Sequence, residues 1–374
     1  MKSKNFQFLL YSIAFTSIAV AMHQASFKNF LLDGLSLSSQ QYGWVDGIKE
    51  IPGLVAVGLI GFTARFTERN VWVFSSFVIA AALITYSIAN DFISAAVYTL
   101  IFSVGTHLWS ILGDYLVTDF STPQNRSIKF GQIAAYRAGA SLIGMGVVWL
   151  LSFTFSFDAV FIIGGFFSLI GLVMAARITK NKRPHGPSMK LVFRGKYFPY
   201  YLLSLLSAAR EMVFITFAAL LLIQIYDTSL QSMAILTAIH GALAVITRPL
   251  IGKITQKLGD LKALAVNYGL VTAVFLGYAY IDHQWVVYLL FVIDDVLAGF
   301  DDIAISSYAG RLVPKHELSS TLAMGSTLSH MVAVCIPIAG TFIWVPFGSV
   351  YPFLFGAVIT VLATLFALLY AKRG

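Results

Sequence analysis

The sequence predicts an all-α integral membrane protein of twelve transmembrane helices in two pseudo-symmetric six-helix bundles. Three observations predict it. Of 374 residues, 58% are hydrophobic and only 11% are Asp, Glu, Lys or Arg, against about 25% charged in soluble domains; mean hydropathy is +0.81. The apolar residues fall into twelve runs near the ~20 residues a spanning helix needs. A basic connection with Pro184, Gly186 and Pro187 divides the runs six and six.

In order, the runs are 8–27, 40–62, 71–89, 93–118, 130–155, 159–177, 197–225, 231–252, 263–281, 285–310, 318–345 and 351–371. The first follows Lys2 and Lys4 but lacks a small-residue cleavage site, so it reads as a span and not a signal peptide. Pro52, Pro249 and Pro337 lie inside runs and are expected to kink them. The single cysteine, Cys335, allows neither an internal disulfide nor a zinc site. The expected units are 1–179, a linker at 180–196, and 197–374.

The net charge of +8 is topological. Even-numbered connections carry Arg65 and Arg69, Arg126 and Lys129, the cluster from Lys180 to Lys196, Lys253, Lys257 and Lys262, and Arg311 and Lys315; the odd-numbered ones carry only Lys28. This asymmetry predicts that both termini and the basic loops lie in the cytoplasm and argues against a nucleic-acid partner; the expected location is a bacterial inner membrane. No Gly-x-x-x-x-Gly-Lys-[Ser/Thr] loop exists to bind ATP, and no nucleophile triad or metal-ligand spacing is present. The chain is expected to have no enzymatic activity, cofactor or metal, and to act as a monomer.

The halves resemble each other. Gly105 and Gly299 are 194 apart (299 − 105), as are Gly131 and Gly325 (325 − 131), while Gly61 and Gly252 are 191 apart (252 − 61). Parallel six-span repeats are an established transporter plan. Gly61-Phe-Thr-Ala-Arg65-Phe-Thr-Glu-Arg69 and Gly252-Lys-Ile-Thr-Gln-Lys257-Leu-Gly259-Asp260 are similar to the loop motif Gly-x-Leu-Ala-Asp-Arg-x-Gly-Arg-Arg. On these loops and on its topology the chain resembles the major facilitator superfamily. Its acidic motif position is Arg65 in one copy and Gln256 in the other. The resemblance implies gating loops at Gly61, Arg65, Arg69, Gly252, Lys257 and Gly259. It also implies that spans 3, 6, 9 and 12 face lipid while the other eight surround an aqueous path.

Ionisable residues at the bilayer centre cost about 2.5–3.5 kcal/mol each on insertion scales and so mark function. Inside the spans they are His23, Asp46, Lys49, Glu50, His107, Asp114, Arg137, Arg210, Glu211, His240, Arg248, Asp294, Asp295, Asp301, Asp302 and His330. None lies in spans 3, 9 or 12, and span 6 has only Arg177 at its very end. Basic groups set deep in the membrane, Arg137, Arg210, Lys49, His107 and His240, are the expected substrate contacts, because a guanidinium fork fits a carboxylate or phosphate. His330, Asp301, Glu50, Asp114 and Glu211 are the expected proton-coupling groups, with His330 working beside Asp301. Asp294 and Asp295 are expected nearer the outer face, in contact with water. The expected function is proton-coupled secondary transport of a small organic solute, anionic or zwitterionic, with membrane lipid as the surrounding partner. The alternative is a lipid or amphiphile flippase on the same fold.

Overall fold

The computed structural model describes residues 2–55, 58–59, 63, 66–122, 125–179 and 193–372. Of the expected gating residues, Gly61 and Arg65 lie outside the described residues, as does most of the expected linker (180–192). The described residues contain helices and no strand. Only helices satisfy every backbone group within one segment inside lipid, apart from closed barrels.

The helices are α1 (Lys2–Asn29), α2 (Ser39–Ile48), α3 (Ile51–Leu54), α4 (Glu68–Tyr86), α5 (Phe92–Asp119), α6 (Arg126–Leu151) and α7 (Phe157–Ala176). After the connection come α8 (Phe198–Met212), α9 (Leu230–Leu258), α10 (Asp260–Tyr280), α11 (Gln284–Leu312), α12 (Lys315–Phe347) and α13 (Val350–Ala371). Ten segments among the described residues are long and apolar enough to cross a membrane. The second expected span is represented by the short α2 and α3, and the tenth is the Asp-rich α11. Side-chain chemistry sets the starts. Ser38 accepts from the Gln41 backbone N–H while the Gln41 side chain accepts from the Ser38 N–H, a capping box that opens α2. Thr67 caps α4 through the Asn70 N–H.

The chain packs as two units. The first comprises residues 1–37, 55–188 and 229–241, and the second 38–54, 189–228 and 242–374. The covalent halves therefore exchange one segment each. Residues 38–54 pack with the later helices, against α12, and the start of α9 packs with the earlier ones. Glycine permits the first of these approaches: a Cβ on Gly47 would lie 2.8 Å from the Val334 carbonyl oxygen, and one on Gly43 2.6 Å from that of Pro337.

Within each unit the same pairs of helices pack. In the first, α1 lies on α6 and α7, and α4 lies on α5 and α7. In the second, α8 lies on α12 and α13, and α10 lies on α11 and α13. The repeat extends to detail. α1 runs into a π-helical turn at Phe30–Gly34, and α8 passes through a π-helical stretch that ends with the turn Leu221–Ile225, 191 residues on (221 − 30). Each turn is followed by a non-glycine residue of positive φ, Ser36 at 53° and Asp227 at 44°, again 191 apart (227 − 36). Such backbone is uncommon outside glycine, so its recurrence at one offset is a stronger mark of duplication than the glycines.

The four helices without expected ionisable groups carry large exposed apolar side chains, for example Phe74 and Phe77 on α4, Phe166 on α7, Val266 and Leu270 on α10, and Leu362 and Leu365 on α13. Lipid is the solvent that suits such faces. Of the four glycines in the span at 130–155, only Gly144 meets another helix, where a Cβ would lie 2.6 Å from the Ile18 carbonyl oxygen; Gly131, Gly139 and Gly146 face open space.

Candidate functional site

Burial in the second unit sorts its charged residues into two groups. The first is an ion triad among α8, α10 and α11. Arg210 and Asp294 are fully buried and Asp301 is 6% exposed. Arg210 donates from Nη1 to Asp294 Oδ1 at 2.8 Å and from Nε to Asp301 Oδ2 at 2.9 Å. Asn267 donates to the other Asp301 oxygen at 3.1 Å. Asp294 and Asp301 are seven residues apart, two helical turns, so they share one face of α11. Asp302, one residue on, is exposed and lies 3.5 Å from Arg248. Glu211 points away from the triad and is also exposed.

The placement of these residues differs from three sequence expectations. Arg210, expected as a substrate contact, is fully buried against two carboxylates, with only Nη2 left without a hydrogen-bond partner. Asp294 is not solvated near an outer face; it is among the most buried residues of the unit. Asp301 takes Arg210 as its partner, whereas His330 lies against a different carboxylate. The reason is rotational. Residues adjacent in sequence on a helix project about 100° apart, so one of each pair, Arg210–Glu211 and Asp301–Asp302, turns inward and the other outward.

The second group joins residues 38–54 to their neighbours. His330 Nδ1 lies 3.1 Å from Glu50 Oε2, with both side chains half-buried. Glu50 is 3.7 Å from Lys49, whose ammonium is 2.7 Å from Asp46. The second Asp46 oxygen accepts from the Thr216 hydroxyl at 2.7 Å. Gly53 sits on the His330 ring, where any Cβ would collide with the imidazole. A titratable pair thus ends a continuous polar chain from α12 to the π-helical stretch that continues α8, Val213–Ala218.

The first unit holds a different set. Arg137 on α6 is half-buried, with its guanidinium 5.3 Å from the Trp109 ring. Trp109 stacks on Trp72 at 5.3 Å, and the Trp72 indole donates to the Ser12 hydroxyl at 3.0 Å. His107 is half-buried, its Nδ1 2.9 Å from the Ser103 carbonyl oxygen one turn back. His240 is half-buried on the part of α9 that packs in this unit. Asp114 lies on α5, but its side chain is outside the described residues. His23 is buried in an aromatic cage, stacked 3.9 Å from Phe102 and 4.5 Å from Phe27. A cavity of about 510 Å³ opens beside Tyr136, lined by Gln7, Tyr11, Asn125, Lys129 and Gln132.

The two loop copies carry a contact that the sequence reading missed. Arg69 donates to the Ala176 carbonyl at the end of α7. The residue 191 positions on, Asp260, is buried at the start of α10 and ion-pairs with Arg311 near the end of α11. Sequence reasoning looked for the acid at Gln256. The acid is four residues later, after Gly259, whose φ of 84° makes the turn. Gly252 and Lys257 lie on the last turns of α9, and Lys257 is exposed.

The profile of the Major Facilitator Superfamily matches residues 8–300 and 202–374. Among solved structures, the chain is similar to a bacterial homologue of the human lysosomal transporter Spinster in an inward-facing, occupied conformation. The TM-score is 0.78 at 14% identity, covering 98% of this chain and 96% of that one. The nucleoside transporter NupG aligns with TM-score 0.78 at 15% identity over 98% of this chain and 99% of its own. A mutant form of the peptide transporter POT gives 0.79 at 14% identity over 98% and 94%. A comparison with curated protein sequences gave no match. Membrane-crossing helices, a duplicated packing scheme and a family profile spanning nearly the whole chain converge: the chain belongs to the Major Facilitator Superfamily, as a membrane transporter and not an enzyme.

Proposed function

We propose that the chain is a proton-coupled secondary transporter of a small organic solute, anionic or zwitterionic, working by alternating access, with both termini in the cytoplasm of a bacterial inner membrane. The observation that carries the coupling is the His330–Glu50 contact of 3.1 Å. An imidazole has an ordinary pKa near 6.5, so small environmental changes load or release its proton around neutrality. Protonated, it forms a charge-assisted bond to Glu50, which draws α12 onto residues 38–54. Deprotonated, it leaves Glu50 to Lys49. Proton occupancy thus changes how firmly the exchanged segment is held, and a transport cycle needs that link between a proton and a conformation.

Solute recognition falls to Arg137. Its guanidinium is half-buried beside a tryptophan stack, which suits an anionic group carried next to an apolar or planar one. His107 and His240 are the further basic contacts of the same unit; in the second unit Lys49 is the basic candidate, and Glu211, exposed on α8, is the carboxylate open to solvent. Arg69 and the Asp260–Arg311 pair serve as loop latches.

Reconstituted vesicles test both roles in one assay. His330→Gln keeps a hydrogen-bonding side chain but cannot titrate. It should abolish accumulation driven by a pH gradient while leaving downhill exchange, and Arg137→Lys should reduce both by tenfold or more. Gradient-driven accumulation by His330→Gln equal to wild type, with the same pH dependence, would remove His330 from coupling. Movement of a labelled lipid between leaflets, with no solute flux, would favour the flippase alternative.

A further inference from the structure

We infer that the buried triad of the second unit holds a resident proton, bound to Asp294 at Oδ2. The argument begins with charge. With both carboxylates ionised, Arg210, Asp294 and Asp301 sum to −1 inside a region where all three side chains are almost completely inaccessible. A buried ionised carboxylate without full compensation is far more costly than a neutral carboxylic acid. No second cation reaches these carboxylates among the described residues. Arg248 is exposed and pairs with Asp302. The other acids nearby, Glu211, Asp302 and Asp295, lie outside the buried triad and bring no positive charge to it. On α10, the groups near the triad are neutral: Asn267, and the fully buried or nearly buried phenols Tyr268 and Tyr278.

Hydrogen bonding then decides which carboxyl carries the proton. Each Asp301 oxygen already accepts from a donor, Arg210 Nε on one and Asn267 Nδ2 on the other. A proton on either would have to displace one of them. Asp294 accepts once, from Arg210 Nη1 at Oδ1, and its Oδ2 is buried with no hydrogen-bond partner. As a carboxylate oxygen that atom is an uncompensated acceptor; as a hydroxyl it is part of a neutral group. The Tyr278 hydroxyl is likewise buried with no hydrogen-bond partner. With this proton the triad is neutral, and it joins α8, α10 and α11 without leaving a bare charge. Removing it, by raising pH or by exposing the triad, leaves a net negative interior and loosens α11 from α8. The inference does not rest on His330, and its readouts require no solute.

The test uses the full-length protein purified in detergent. An infrared difference spectrum, wild type minus Asp294→Asn at neutral pH, should contain the carbonyl band of a protonated carboxylic acid. Asp294→Asn mimics the neutral form and should melt within a few degrees of wild type, whereas Asp301→Asn strands Arg210 and should melt much lower or fail to accumulate. The wild-type midpoint should fall as pH rises from about 4, where the unfolded carboxyl ionises, toward neutral, and that of Asp294→Asn should fall less. Absence of the carboxylic band, or loss of stability in Asp294→Asn as large as in Asp301→Asn, would overturn the assignment. So would a midpoint that rises when sodium replaces choline in the absence of the band, since a metal cation would then occupy the place given to the proton. If Asp301→Asn cannot be purified, the spectrum and the Asp294→Asn midpoint decide alone.

Discussion

The two units share one packing scheme but fill it with opposite chemistry. At the position of Arg210, the first unit has Ala19 (210 − 191), buried on α1; at the position of Asn267 it has Ser76 (267 − 191), buried on α4. His107 stands where the second unit has Asp301, and Leu100 where it has Asp294 (301 − 107 and 294 − 100, both 194). The first interior is closed by aromatic side chains, His23 in its cage and Trp72 on Trp109. The second is closed by an arginine held between two acids. Lipid tails are as apolar as leucine, so burial of apolar area contributes little to joining membrane helices; close packing and polar contacts contribute the rest. The first unit relies on the former and the second adds the latter. Packing tolerates small losses, whereas an ion triad fails when one member is removed.

The largest contrast is expected at Arg210. Arg210→Met removes the cation that both acids share, and breaking a buried pair in this way costs about 3–5 kcal/mol. A thermal midpoint close to wild type would mean that the acids are neutralised without Arg210, and the contrast between the interiors would disappear. A smaller, paired test compares Asn267→Ala with Ser76→Ala. Asn267 donates to a carboxylate, a bond worth about 1.5–3 kcal/mol. Ser76 donates to the Trp72 carbonyl of its own helix and should cost about 1 kcal/mol or less. Equal losses in unfolding of the two variants would show that charge contributes nothing beyond an ordinary hydrogen bond. The smallest effect belongs to the surface. Asp91 precedes α5, and the Ser94 hydroxyl, with the Ser94 backbone N–H, holds its carboxyl below the usual range. A depressed carboxyl contributes stability above its unfolded pKa and loses it as pH falls through its folded pKa. Asp91→Ala should therefore lower the midpoint slightly at neutral pH and not at strongly acid pH; an equal effect at both would assign Asp91 a packing role.

Much of the architecture was legible because it is written along the chain. The apolar runs at 71–89 and 351–371 meet helices at Glu68–Tyr86 and Val350–Ala371, since hydropathy depends on composition and not on partners. The offset of 191 found from Gly61 and Gly252 recurs in the π-turns and in Ser36 and Asp227, which sequence inspection passed over because nothing in their residue types announces a positive φ. The loop acid was missed for a related reason. A motif fixes a position, but Asp260 meets Arg311 only because α10 and α11 pack side by side.

By itself, the sequence determined that the chain lives in lipid, repeats itself, and carries too much buried charge for packing alone; each follows from the cost of placing polar groups in hydrocarbon. Only the tertiary structure decided which charges meet. Arg210 selects acids 84 and 91 residues away, and His330 a carboxylate 280 residues away. Those choices depend on how each helix is rotated about its axis, where one residue of sequence turns a side chain by about 100°. Adjacent residues as alike as Asp301 and Asp302 therefore end up on different faces of the same helix, one in a buried ion triad and the other exposed beside Arg248.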